Sequence, residues 1–319
     1  MAKRLLPYVN FNNGVKCPIV GFGTYLIKGE ECYNCVKAAI DIGYRHIDTA
    51  FVYKNEKEVG QAINDKVKEG MVKREDIFVV SKLSSANHKE NMVVPALRKT
   101  LENLNLSCID LYLIHAPWST KPLVEGEVCL DSQIEEDGKE IQDDIDPVET
   151  WRGMEECVRL GLARCIGLSN FNKEQTQNIL NSCKIKPVTN QVECHHLLNQ
   201  EKLRKYSQEN GVTISAYRSL GGAKKIHIVL GDENIKKLAE KYEKTPAQII
   251  LRWIIQRGIL AIPKSSNLKR IEENFNVFDF EIDETDMDFI MSLNQDQRFV
   301  EFLSVTESKY FPFKKGVEY

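Results

Sequence analysis

Apolar and polar positions alternate along this chain on two different periods. Short runs rich in Val, Ile, Leu and aromatic residues occupy 19–25, 44–50, 77–83, 109–115, 163–170, 188–195, 212–220 and 259–264. Between them, stretches with apolar residues every three or four positions cover 31–42, 56–69, 90–104, 147–160, 173–182, 200–210 and 235–256. The first pattern is that of strands buried on both faces, the second that of amphipathic helices. The last helical stretch contains Thr245-Pro246, a cap followed by proline at a first helical position, and so reads as two helices. Eight strand runs, most followed by a helix, predict an α/β fold closed as a (β/α)8 TIM barrel, one domain over residues 1–319. An open doubly wound sheet is the competitor, but the turn at Gly21-Phe22-Gly23 lacks the third glycine of G-x-G-x-x-G.

Three segments fall outside this alternation. YVNF-NNG-VKCP predicts a β-hairpin ahead of the barrel. Residues 116–146 form a connection too long for a routine loop, acidic in its second half, which reads as a lid or a solvated flap. Residues 294–319 carry Phe299, Phe302, Tyr310, Phe311 and Phe313 with weak periodicity, as a tail packed across something would.

Composition narrows the function. A net charge of −3 argues against nucleic acid as a partner, and the absence of an apolar run near 18 residues predicts no membrane span. The N-terminal residues lack the apolar stretch of a signal peptide, and 9 cysteines without such a signal read as reduced thiols, so the expected location is cytoplasmic. Cys32 and Cys35 form a lone CxxC with no second ligand pair, read as ordinary side chains with no metal.

Chemistry gathers at strand ends. Asp48 and Tyr53 follow the run at 44–47, Lys82 lies in IFVVSKL, and His115 ends IDLYLIH. Taken singly, each has a plain explanation: a turn former, a packing residue, a snorkelling lysine, a core histidine. Together, at the C-terminal mouth of one barrel, they form a proton-transfer site. A phenol with its usual pKa near 10 is a poor acid at neutral pH. A lysine about 4 Å away supplies on the order of 4 kcal/mol at an effective dielectric near 20, more than the ~2.7 kcal/mol that a two-unit shift requires. Lys264-Ser265-Ser266-Asn267-Leu268-Lys269-Arg270 follows the last strand and opens a helix. That is either a charged helix start or a phosphate site, in the place where barrels often keep one.

GYRHIDTAFVYKNEKEVG, VSKL, LYLIHAP, GLSNF, PVTNQVECHH and IPKSSNLKRIEENFNVFDF together resemble the aldo-keto reductase superfamily, over essentially the whole chain. The resemblance implies a metal-free, monomeric, NADPH-dependent reductase of small-molecule aldehydes and ketones. It makes Tyr53 the general acid, has Lys82 lower its pKa, has Asp48 hold Lys82, and has His115 orient the carbonyl. It places Ser169, Asn170 and Gln191 on the carboxamide and Tyr217 under the nicotinamide. Thr24, Tyr25 and Leu220 would complete the cofactor cleft. Lys264, Ser265, Asn267 and Arg270 would take the 2′-phosphate, with Glu273 and Asn274 on the adenine.

Departures from that pattern bear on substrate and cofactor grip. Tyr25 and Ala116 stand where aldose reductases carry tryptophans, which implies a wider pocket, partly refilled by Trp118 and walled by Phe299 and Phe302. Bulky or hydrophobic carbonyls follow: steroid-like ketones, long-chain, terpenoid or aromatic aldehydes. The text is also similar to insect members that reduce 3-dehydroecdysone. The run after strand seven reads Ala216-Tyr217-Arg218-Ser219-Leu220-Gly221 rather than AYSPLG, the following loop is expected to be short, and Leu26 replaces a lysine that clasps the pyrophosphate. Lys224 and Lys225 are candidates to compensate. Two other classes remain as alternatives: a catalytically weak NADPH-binding subunit with a structural or regulatory role, and a barrel glycosidase using Glu193.

Overall fold

The computed structural model describes residues 7–314. β1 (Tyr8–Asn10) and β2 (Lys16–Pro18) pair antiparallel as the expected hairpin. Eight strands follow: β3 (Phe22–Gly23), β4 (His46–Asp48), β5 (Phe78–Leu83), β6 (Ile109–Ile114), β7 (Ala163–Ser169), β8 (Thr189–Glu193), β9 (Thr213–Tyr217) and β10 (Leu260–Ala261). They form one parallel sheet in chain order. The two ends of that sheet meet: Gly21 N donates to Ala261 O at 2.8 Å, Ala261 N to Ile19 O at 2.9 Å, and Gly23 N to Pro263 O at 3.0 Å. The sheet is therefore a closed barrel, which leaves no edge strand unpaired.

Helices α1 (Gly29–Ile42), α2 (Glu56–Lys68), α3 (Glu90–Leu104), α4 (Pro147–Arg159), α5 (Lys173–Ser182) and α6 (Glu201–Glu209) each follow one of the first six barrel strands. Between β9 and β10 lie α7 (Gly222–Leu230), α8 (Glu233–Lys241) and α9 (Pro246–Gln256). The break before α9 falls where the cap predicts, with Thr245 Oγ accepting from Gln248 N and Pro246 at the first turn. α10 (Leu268–Phe275) and α11 (Glu284–Ser292) complete the chain's helices among the described residues.

Two elements differ from the sequence reading. The segment after Leu220 is the helix α7, not a short loop, and Lys224 and Lys225 are exposed on it. Gly221 and Gly222, both at positive φ, punctuate the chain there and obscure the helical pattern that follows. α11 starts on an Asp283 cap, with Ile290 as its one buried residue, so apolar periodicity gives it little signal. The long connection 116–146 folds back on itself through bridges Thr120↔Gln142, Pro122↔Ser132 and Ile134↔Glu140. It is tied to the tail by Glu140 N donating to Ser304 O at 3.1 Å.

The hairpin plugs the lower end of the barrel. Phe11 packs edge-on to Phe78 at 6.1 Å, and Cys17 Sγ lies 3.6 Å from His46 Nδ1. Cys32 and Cys35 lie buried in α1, and burial pushes the Cys32 thiol up to about 12 and raises Cys35 as well, so both read as packing residues.

Candidate active site

Strand register decides which side chains reach the barrel's interior. Asp48 pairs with Val80, and Lys82 lies two residues beyond Val80 on the same side of its strand. Lys82 in turn pairs with Leu113, and His115 lies two residues beyond that. Side chains alternate with period two, so Asp48, Lys82 and His115 point the same way and step upward around the mouth. Leu113 pairs with Gly167, Ser169 with Gln191, and Glu193 with Tyr217. The same parity therefore brings Ser169, Gln191 and Tyr217 to the interior.

At the centre, Lys82 is wholly buried. Its Nζ donates to Asp48 Oδ1 at 2.7 Å and to Thr49 O at 2.8 Å. Gln191 Nε2 occupies the second carboxylate oxygen, donating to Asp48 Oδ2 at 2.9 Å. Burial pushes the Lys82 ammonium below its ordinary value, while Asp48 and then Glu56 pull it back up. Tyr53 comes from the 3-10 turn Phe51–Tyr53, and its ring lies 5.1 Å from Lys82 Nζ and 5.8 Å from the His115 ring. Tyr25, 45% exposed, leans on Tyr53 at 4.9 Å, so a solvent-facing ring covers the outer side of the phenol.

The loop carrying Tyr53 is locked by residues that strand patterns do not single out. Asn55 is fully buried and donates to Thr24 O and Ile27 O, both at 2.9 Å, while Thr49 Oγ donates to Asn55 Oδ1 at 2.8 Å. Thr24 holds the end of β4, its Oγ donating to Asp48 O at 3.0 Å. A buried Asn shortly after a strand is the one sequence signal that marks this lock, and its partners are set by distant segments.

On the opposite wall the polar groups form a chain. Tyr217 OH donates to Asn170 Oδ1 at 2.7 Å. Asn170 Nδ2 donates to His115 O at 2.9 Å and to Ser169 Oγ at 3.2 Å. Ser169 Oγ donates to Gln191 O at 2.9 Å. Asn170 adopts φ 63°, a left-handed conformation that asparagine tolerates.

The electrostatics differ from the simple pairing of one lysine with one tyrosine. Burial, then Asp48, pushes the Tyr53 phenol well above its usual range; Arg218 opposes them. The physical reason is first the loss of hydration around a buried phenol, which disfavours the tyrosinate, and then the Asp48 carboxylate nearby. Burial, Lys82 and His88 hold His115 down to about 3, so its imidazole is neutral at neutral pH.

The remaining expected residues divide into groups. Ala116, Trp118 and Phe302 share one apolar cluster, with Trp118 and Phe302 at 4.9 Å. Phe299 is separate from it and stacks on His195 at 4.7 Å, because Glu193 accepts from Phe299 N and Val300 N and fixes that part of the tail. Glu193 is thus a buried tether. Burial works against its charge, yet His195, Arg298 and the Phe299 amide hold its carboxyl below the ordinary value. Leu220 packs against the main core.

Lys264, Asn267 and Arg270 lie exposed around the start of α10, with Ser265 buried beside them. Asn267 caps that helix by accepting from Arg270 N at 3.1 Å. Lys264 and Arg270 have no ion-pair partner among the described residues, whereas Lys269 reaches Glu273 at 3.7 Å. Asn274 is buried on the same helix. Two unpaired cations at a helix N-terminus are a donor set suited to a phosphate.

Among the described residues no group of three His, Cys, Asp or Glu side chains is placed to hold a metal, and no helix is long and apolar enough to cross a membrane. A profile of the aldo/keto reductase family matches residues 20–295. The mouse protein named aldo-keto reductase family 1 member D1 is 44% identical over 318 residues, covering 96% of each chain. Rabbit prostaglandin-E(2) 9-reductase is 45% identical over 304 residues, covering 92% of this chain and 93% of its own. A Bombyx mori aldo-keto reductase, solved in complex with NADP, superimposes with a TM-score of 0.87 at 37% identity, over 96% of this chain and 99% of its own. On the match of profile, sequence and fold, this chain belongs to the aldo/keto reductase family.

Proposed function

We propose that this protein reduces aldehydes and ketones to alcohols at the barrel mouth, with NADPH as hydride donor and Tyr53 as proton donor. The observation that carries the reading is the wholly buried Lys82–Asp48 pair beneath Tyr53, with neutral His115 facing the phenol. Burying both partners of an ion pair is costly, and such pairs are characteristic of sites where chemistry needs them.

NADPH, when bound, supplies the hydride that adds to the carbonyl carbon. Tyr53, protonated at every physiological pH, donates its proton to the carbonyl oxygen as negative charge develops there. Lys82 lies against the face of the phenol and stabilises the tyrosinate left behind; Asp48 and Gln191 fix the lysine's position. His115, as a neutral imidazole, orients the carbonyl by hydrogen bonding. Ser169, Asn170 and Tyr217 form the polar wall that would hold the cofactor's carboxamide end. Lys264, Ser265, Asn267 and Arg270 would hold its phosphate, with Glu273 and Asn274 nearby. The residues fit such a group by the chemistry of their donors: hydroxyls and amides at one end, unpaired cations at the other.

The apolar cluster of Ala116, Trp118 and Phe302 supports bulky or hydrophobic carbonyl substrates, in keeping with a prostaglandin reductase among the relatives. The test measures NADPH binding and then its oxidation on a panel running from a small aromatic aldehyde through a long-chain enal to a 3-ketosteroid. Turnover that favours the larger members is the expected result. Binding without turnover would make the protein a cofactor-binding subunit, and no binding would overturn the reading.

A further inference from the structure

Arg218 is a cation at the barrel mouth that the proposed reaction leaves without a task. It follows Tyr217, the last residue of β9, and it takes a left-handed conformation at φ 51°. A long side chain takes that conformation uncommonly, and such backbone gathers at ligand clamps. The backbone around it is built to hold it: Gly221 N donates to Arg218 O at 2.7 Å, closing a tight turn.

Two further features fix the direction and state of the guanidinium. A Cβ on Gly222 would lie 3.3 Å from Arg218 Nε and 3.5 Å from its Cζ, which shows that the guanidinium lies back over its own turn. Arg218 sits at the mouth end of β9, directly after Tyr217, and its charge opposes the rise of both the Tyr53 and the Tyr217 phenols. Arg218 is half-buried, and no carboxylate among the described residues pairs with it. Lys82, by contrast, has Asp48 and the Thr49 carbonyl, and the cations at α10 are exposed to solvent.

A half-buried guanidinium with no counter-ion, held in a strained turn beside the reacting groups, is a site for an anion. We propose that Arg218 binds an anionic group of a ligand at the barrel mouth. This rests on the reading of the cleft as an NADPH-dependent reductase, which offers two sources of one chemistry. One is a phosphate of the dinucleotide's bridge; the other is a carboxylate carried by the carbonyl substrate. In either case Arg218 is a binding and specificity residue, outside the proton-transfer step.

The test compares wild type with Arg218→Gln and Arg218→Lys. Two quantities are read: the NADPH Kd from fluorescence quenching at several salt concentrations, and the ratio of kcat/KM for 4-carboxybenzaldehyde over benzaldehyde. A charge-assisted hydrogen bond lost from a partly buried site corresponds to about a tenfold or larger weakening. If the anion is the dinucleotide's phosphate, Arg218→Gln raises the NADPH Kd about tenfold and flattens its salt dependence, with the aldehyde ratio unchanged. If it is the substrate's carboxylate, the NADPH Kd stays and the ratio falls about tenfold. Arg218→Lys restores part of the loss in either case. Equal Kd and equal ratio in wild type and Arg218→Gln overturn the assignment of Arg218 alone. A wild type that binds no NADPH overturns the reductase reading and this inference with it.

Discussion

A buried ionic cluster near each end of the barrel is built from similar groups for a different purpose. At the lower end Asp110 accepts from Arg74 at 2.8 Å, from Arg164 at 2.7 Å and from Val79 N at 3.0 Å. Its carboxylate is buried, but the two arginine side chains are 31% and 50% exposed. At the mouth Lys82 is 0% and Asp48 5% exposed, so both charges are withdrawn from water. The lower cluster ties a loop and two strands together, with its cations still solvated, which keeps the desolvation penalty small. The upper cluster is the expensive kind. A barrel needing only rigidity would do as well with apolar residues there, which is the physical ground for assigning chemistry to one end and stability to the other.

Substitutions can break that contrast. Removing the proton donor has the largest expected effect: Tyr53→Phe lowers turnover by roughly 10²–10⁴-fold and leaves NADPH affinity within about twofold of wild type. Steady-state kinetics beside a fluorescence titration check it, and a variant that keeps most of its turnover removes Tyr53 from the mechanism. Next is the pair itself. Lys82→Met strands a buried carboxylate and costs about 3–5 kcal/mol of stability as well as activity. Adding Asp48→Asn recovers most of that stability in a denaturant titration without restoring turnover. If the double variant is active, the mouth cluster is as structural as the lower one.

The lower cluster should behave in the opposite way. Asp110→Asn is expected to cost about 1–3 kcal/mol in the same titration, since it weakens charged hydrogen bonds without stranding a buried cation. Its kcat/KM should stay near wild type, and a large fall would mean that the two ends are coupled. The last effect is absent at neutral pH and appears only in acid. His88 lies buried behind His115, neither of its ring nitrogens has a partner, and burial holds it at about 3. An unfolded chain binds that proton near 6.5, so folding loses stability as pH falls from about 6.5 toward 3, at up to about 1.4 kcal/mol per unit from this residue. His88→Leu should flatten the acid limb of stability against pH by that slope between pH 6 and 4, and an unchanged limb would place a counter-charge beside His88.

Much of this was legible in the chain itself. Alternation of strand and helix periods predicts the barrel, and the residues ending three of its strands, Asp48, Lys82 and His115, mark its mouth. Strand parity, a local property, then carries their side chains to one interior. The Thr245-Pro246 cap and the basic start of α10 are equally local signals. Other features belong to tertiary structure, because they depend on groups far apart in sequence meeting in a low-dielectric space. Gln191 bonds to Asp48 across 143 positions, and Asn55 reaches back to Thr24 and Ile27 to lock the Tyr53 turn. The tether of Glu193 to Phe299 holds that ring apart from the Trp118–Phe302 wall, and burial with the nearby Asp48 raises the Tyr53 phenol where a count of neighbouring lysines would have lowered it. Periodicity determines which face a residue takes; only packing determines which partner it meets there, and how far burial shifts its proton.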